Sequence, residues 1–81
     1  MEKAKDFVLK IVRGIVNKPD DVRVEATEDE MGVLLRVSVN KEDMGIVIGR
    51  QGVNAGAIKI LAKLYGYCNK LRISVKIEEP K

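Results

Sequence analysis

Ala4, Phe7, Val8, Ile11, Val12, Ile15 and Val16 recur three and four residues apart, while Lys3, Lys5, Asp6, Lys10 and Arg13 fill the positions between them. That spacing predicts an amphipathic helix with one apolar stripe. Pro19 is expected to stop it near Asn17, because the residue before a proline is pushed out of the helical region. From Val22 the period changes to two. Val22, Val24 and Ala26 alternate with Arg23 and Glu25, which predicts a half-buried strand. Thr27 to Gly32, containing Glu28, Asp29 and Glu30, is read as a polar turn. A second strand follows from Gly32 to Val39, with Val33, Leu35, Val37 and Val39 on one face and Leu34, Arg36 and Ser38 on the other. So short a connection makes the two strands an antiparallel hairpin.

Asn40 is placed to cap a short helix over Lys41 to Ile48, with Glu42 and Asp43 in the first turn, where negative charge is favoured. Gly49 to Gly52 forms a turn. The next helix is predicted from Gly52 to Tyr65, with Gly66 as its C-cap. Leu71, Ile73, Val75 and Ile77 then alternate with Arg72, Ser74 and Lys76 as a last strand, and Glu78 to Lys81 reads as a polar tail. Each strand has one apolar face, so the three should form one sheet with every helix packed on that face. A right-handed crossover through two helices would set the last strand parallel to the second. The expected fold class is α+β: two layers, order α-β-β-α-α-β, with a three-stranded mixed sheet. Eighty-one residues leave room for a single domain, 1–81.

Charge sharpens the picture. The net charge is only +3, yet residues 44–77 hold six basic groups (Arg50, Lys59, Lys63, Lys70, Arg72, Lys76) and no acidic one. A positive field of that kind concentrates polyanions. The same composition argues against an enzyme. There is no His to serve as a base or to activate the lone Cys68, which reads as a small residue just past a helix end. Glu42 and Asp43 diverge around a helix and make a poor catalytic pair. Glu28, Asp29 and Glu30 are consecutive and lack the spaced ligands of a calcium loop. Neither a metal nor a cofactor is expected. No apolar run approaches a membrane span, no signal-peptide pattern opens the chain, and a single cysteine suits a reducing compartment. The expected location is cytoplasmic, with no membrane and no small-molecule substrate as partner.

The candidate chemistry lies in Val47-Ile48-Gly49-Arg50-Gln51-Gly52. Two glycines three apart let backbone approach a ligand without a Cβ in the way. The turn leads into a helix N-terminus, where free N–H groups and the dipole attract an anion, and a nucleic-acid phosphate fits that description. Other phosphate loops do not. The second glycine is not followed by Lys-Ser or Lys-Thr, and the turn joins two helices rather than a strand and a helix.

A two-glycine turn between two short helices, in this element order, resembles the type II form of the KH domain. Asn40-Lys41-Glu42-Asp43-Met44-Gly45, the Val47–Gly52 segment and Asn17-Lys18-Pro19-Asp20-Asp21-Val22-Arg23-Val24 are similar to the small stand-alone bacterial KH proteins of the KhpA (YlqC-like) type. The resemblance covers nearly the whole chain. It implies a single-stranded RNA-binding protein, an RNA chaperone or post-transcriptional regulator tied to cell-wall homeostasis and cell shape. It further implies a homodimer, or a heterodimer with a larger KH partner of the Jag type. Carried over by position, Gly49, Arg50, Gln51 and Gly52 would hold the RNA backbone. Ile46, Ile48, Val53 and Ala55 would line the adjoining groove, with Val37 and Val39 packing beneath. The chain departs from the family pattern at Val53 and Gly56, where basic residues are usual, and at Asn54, commonly Thr or Ile. Lys59 and Lys63, one turn apart, are expected to compensate for the lost charge.

Aromatic residues are scarce: Phe7 belongs to the first helix's stripe, which leaves Tyr65 and Tyr67. Bases would therefore meet an aliphatic groove more than a stacking platform. A second functional reading stays open, a KH-type protein-interaction module with vestigial nucleic-acid binding. In the helix after the turn, Val53, Ala57, Ile60 and Leu64 form one apolar row, while Ile58, Leu61, Ala62 and Tyr65 form another. Only one row can face the sheet, and surplus apolar surface marks an interface.

Overall fold

The computed structural model describes residues 2–78. The chain runs α1 (Glu2–Ile15), β1 (Arg23–Asp29), β2 (Gly32–Ser38), α2 (Met44–Ile48), α3 (Val53–Cys68) and β3 (Ile73–Glu78), with single 3-10 turns at Pro19–Asp21, Lys41–Asp43 and Arg50–Gly52. The sheet order is β1-β2-β3. β1 is antiparallel to β2, and β2 is parallel to β3, with Val33, Leu35 and Val37 opposite Ile73, Val75 and Ile77. This is the expected two-layer α+β architecture. The alternating residues Val33, Leu35, Val37, Ile73 and Val75 are buried together with Ala4, Val8 and Val12 of α1, Val47 of α2, and Ile58 and Ala62 of α3. Burial of these aliphatic side chains, worth about 1.5–3 kcal/mol each, is the main force holding the layers together.

Several boundaries differ from those expected. β1 continues through Thr27, Glu28 and Asp29, which pair with Leu34, Val33 and Gly32, so the hairpin turn is only Glu30 and Met31. These polar residues stay in the strand because their backbone groups are satisfied by β2 while their side chains remain exposed. The Asp29 carboxylate closes the turn by accepting the Met31 N–H at 2.8 Å. Val22 is buried but precedes the strand, and its N–H bonds the Pro19 carbonyl. Glu78 belongs to β3; the rest of the expected polar tail, residues 79–81, lies outside the described residues.

Another correction concerns Gly66. It does not end α3, which continues to Cys68, so Cys68 is the helix's last residue and lies exposed. Gly66 is buried, and a Cβ there would sit 2.6 Å from the Leu71 carbonyl oxygen and 3.1 Å from Ile73 Cγ1. The glycine serves close packing of the helix against its own exit loop. The stop lies further on, where Leu71 N–H bonds Gly66 O at 2.7 Å and Lys70 N–H reaches Tyr67 O at 3.4 Å. That pair of bonds is the Schellman arrangement, and its left-handed position is filled by Lys70, φ +58°. A side chain in that region costs about 1–2 kcal/mol, part of which glycine's greater unfolded-state freedom offsets. Lys70→Gly is therefore expected to stabilise the domain by about 0.5–1 kcal/mol, raising Tm by roughly 2–8 °C in a thermal melt followed by circular dichroism. A lower Tm would show that Lys70 is unstrained.

The segment after α1 is tied to the start of α2. Asp43, fully buried, accepts the Asn17 N–H at 3.1 Å on Oδ1 and the Lys18 N–H at 3.0 Å on Oδ2. Asn40 caps the turn as expected, accepting the Glu42 N–H at 2.9 Å, and its amide also donates to Asp21. Lys18 Nζ lies 2.9 Å from Glu42 Oε2. The Glu42 carboxylate, by hydrogen bond and charge, raises the Lys18 amine above its ordinary pKa. The contribution of this pair is thus present at neutral pH and is lost as pH climbs through that raised value. Both side chains are exposed, so it is small.

Candidate nucleic-acid interface

α2 ends at Ile48 and the chain reverses through one 3-10 turn into α3. Gly49 takes φ 76°, ψ 176°, a region that essentially only glycine enters. Gln51 (φ 58°, ψ 25°) and Gly52 (φ 79°, ψ 12°) are both left-handed. The turn is closed by Gly52 N–H to Gly49 O at 3.2 Å. Gly52 is the N-cap of α3 and brings no side-chain acceptor. Val53 N–H bonds Arg50 O within the turn, and the amides that follow it have no i−4 carbonyl within the helix. A loop of this form presents N–H groups and the positive end of a sixteen-residue helix to whatever lies above it. Arg50 and Gln51 are both exposed at its tip.

From Gly52 a helical row runs through Gly56, Lys59 and Lys63, at spacings of four, three and four. Lys59 and Lys63 line a hollow between α3 and β3 with Ile60, Ile73, Ser74 and Val75. The hollow continues past Leu64, Tyr67, Leu71 and Arg72. β3 is an edge strand, so the backbone groups on its outer side are unpaired. The structure thus joins the loop to a groove with basic walls and an aliphatic floor.

The expected site residues divide in this frame. Gly49, Arg50, Gln51 and Gly52 form the loop, and Lys59 and Lys63 the wall. Ala55 is half-buried on α3, and Val37 and Val39 are buried in the core. Ile48 is exposed at the end of α2, and Val53 is 67% exposed on the outer side of α3. Ile46 lies around the other flank, in a hollow with Ile11, Ile15, Ala57 and Leu61. Sequence reasoning did not single out Arg72 and Ser74 of the β3 side as groove residues. The acid-free run signals Arg72, but nothing local tells which side of the strand meets α3. Of the two tyrosines, Tyr65 is used internally, stacked on Phe7 with centroids 4.9 Å apart, whereas Tyr67 is 85% exposed. Among the described residues no cluster of His, Cys, Asp or Glu could hold a metal ion, and no helix is long and apolar enough to cross a membrane.

An α-β-β-α-α-β sandwich with a two-glycine turn between its second and third helices defines a KH domain of type II. The chain belongs to the KhpA/KhpB KH-domain family, whose model matches residues 5–78. It is 45% identical over 65 residues to the RNA-binding protein KhpA of Leifsonia xyli subsp. xyli, covering 80% of this chain and 86% of that protein. It is also 39% identical over 75 residues to the RNA-binding protein KhpA of Listeria monocytogenes (93% and 99% covered), and 37% identical over 73 residues to that of Bacillus subtilis (90% and 90%). In fold it is similar to part of Aquifex aeolicus Era in its crystal structure bound to GDP.AlF4-. There the TM-score is 0.68 at 15% identity, and the match covers 91% of this chain and 29% of that one.

Proposed function

We propose that this chain is a cytoplasmic single KH domain that binds single-stranded RNA, as an RNA chaperone or post-transcriptional regulator. The RNA backbone is held at Gly49–Gly52 and the following bases lie along the α3–β3 groove. The observation that carries this reading is the loop itself: two left-handed residues lead into the N-terminus of α3, which has no side-chain cap, in line with Lys59 and Lys63. The relatives named RNA-binding protein KhpA support it. With one exposed tyrosine at the far end of the groove, base contacts are mainly aliphatic, so the site is short and tolerant of sequence. The test is a titration with short single-stranded RNA at several salt concentrations. For single strands, log affinity falls with log salt by about 0.7 per phosphate neutralised. Two or three contacts from Arg50, Lys59 and Lys63 thus give a slope of roughly −1.4 to −2.1. No binding, or binding independent of salt, would reject the reading.

A single weak site gains from a second copy, since linked sites multiply affinity. The apolar row left over on α3 supports a protein interface: Val53 and Ile60 are each 67% exposed and Leu64 56%, while Ile58 and Ala62 of the other row face the core. Another copy of the chain, or a larger KH protein of the Jag type, would cover that row. Ile60 and Leu64 also line the α3–β3 groove. In such a pair the RNA would be held at the Gly49–Gly52 loops, and the partner would replace bases on that part of the groove. Ile60→Asp is expected to give a folded monomer in sedimentation velocity where the parent chain self-associates. A parent chain that is monomeric at high concentration and captures no KH partner would remove the interface.

A further inference from the structure

We propose that Asn54 is a positioning residue for the Gly49–Gly52 loop, acting as a C-capping donor supplied to α2 by the next helix. α2 has five residues, too few to satisfy its own carbonyls, and its last ones would ordinarily face water or a capping group. Gly49 N–H takes the Gly45 carbonyl at 2.9 Å. The next carbonyl, Ile46 O, accepts from Asn54 Nδ2 at 2.7 Å, a bond that spans the loop from its far side. The same side chain lies against the first glycine, where a Cβ on Gly49 would sit 2.6 Å from Asn54 Cγ. Asn54 therefore fixes the approach of α2 to α3 and closes off the space beside Gly49. Between these two anchors stand Gly52 and the left-handed Gln51, a non-glycine residue whose conformation persists only where the surroundings over-determine it. A loop held in advance spends less binding energy on ordering when the phosphate arrives.

The functional half of this inference rests on the RNA-binding reading; the structural half does not. Two variants separate them. Asn54→Ala removes the donor and is well tolerated in a helix; Asn54→Leu removes it while keeping bulk against Gly49. In the free protein, hydrogen exchange of the Gly49 and Gly52 amides is expected to quicken by about five- to tenfold in both, the size of one lost neutral hydrogen bond. Amides of α1 and β2 should exchange as in the parent. RNA affinity should fall by a similar factor with the salt slope unchanged, because no cation has been removed. Unchanged loop exchange overturns the proposal, and so does quickening spread equally through α1 and β2. A parent chain that binds no RNA rejects the RNA-binding reading, and the exchange comparison still decides whether Asn54 holds the loop.

Discussion

Arg50→Asp combined with Gln51→Asp is expected to weaken single-stranded RNA binding by roughly 10- to 100-fold, the equivalent of one charged hydrogen bond lost at about 1.5–3 kcal/mol. Two carboxylates would then stand beside the phosphodiester where a guanidinium stood before. The fold should survive. Both side chains are exposed, neither glycine is touched, and exposed substitutions stay within about 0.5 kcal/mol. Position 51 has φ 58°, and aspartate enters the left-handed region more readily than glutamine does. The comparison needs RNA titrations of both proteins with circular dichroism as the fold control. A folded variant that binds with the parent's affinity and salt slope would take the glycine turn out of the RNA site.

The largest expected loss of stability comes from a residue away from the groove. Asp43→Ala leaves the Asn17 and Lys18 amides, now bonded at 3.1 and 3.0 Å, without their acceptor. Charged hydrogen bonds of this kind are worth about 1.5–3 kcal/mol each, so a loss of about 3 kcal/mol is expected. That lowers Tm by roughly 12–24 °C for a domain of this size. Asp43→Asn should recover only part of it, since an amide turns an NH2 toward one of the two donors. Glu42→Ala, next in sequence but exposed, should leave Tm unchanged. If Asp43→Ala and Glu42→Ala melt alike, the buried carboxylate does not hold α1's exit against α2.

The contrast between these neighbours shows what a linear reading sees. Glu42 and Asp43 look alike in the sequence, two acids in a first helical turn. Both meet the segment after α1, but Glu42 does so through an exposed pair with the Lys18 amine, whereas Asp43 is buried on the Asn17 and Lys18 backbone amides. Gly66 has the same character. A glycine near the end of an apolar run reads as a cap, and the carbonyl that makes a Cβ impossible there belongs to Leu71, across the turn. Thr27 to Asp29 read as a loop because polarity was the signal, whereas the pairing that makes them strand comes from β2. Asn54 could be noticed as unusual, but its partner at Ile46 becomes visible only when α2 and α3 are placed.

What the sequence determined by itself is everything set by local geometry: the 3.6 and 2.0 periods, the element order, the inward faces of β2 and β3, and a glycine turn entering a helix from another helix. These follow from the covalent chain, since side-chain direction repeats with the backbone whatever lies nearby. What only the tertiary structure decided depends on groups distant along the chain and near in space. It chose which apolar row of α3 faces the sheet, withdrew Tyr65 into a stack with Phe7, set Lys59 and Lys63 opposite the open edge of β3, and buried a carboxylate on two amides from α1's exit. Such contacts depend on how whole elements pack, and their sequence signals are single residues whose meaning changes with the partner they meet.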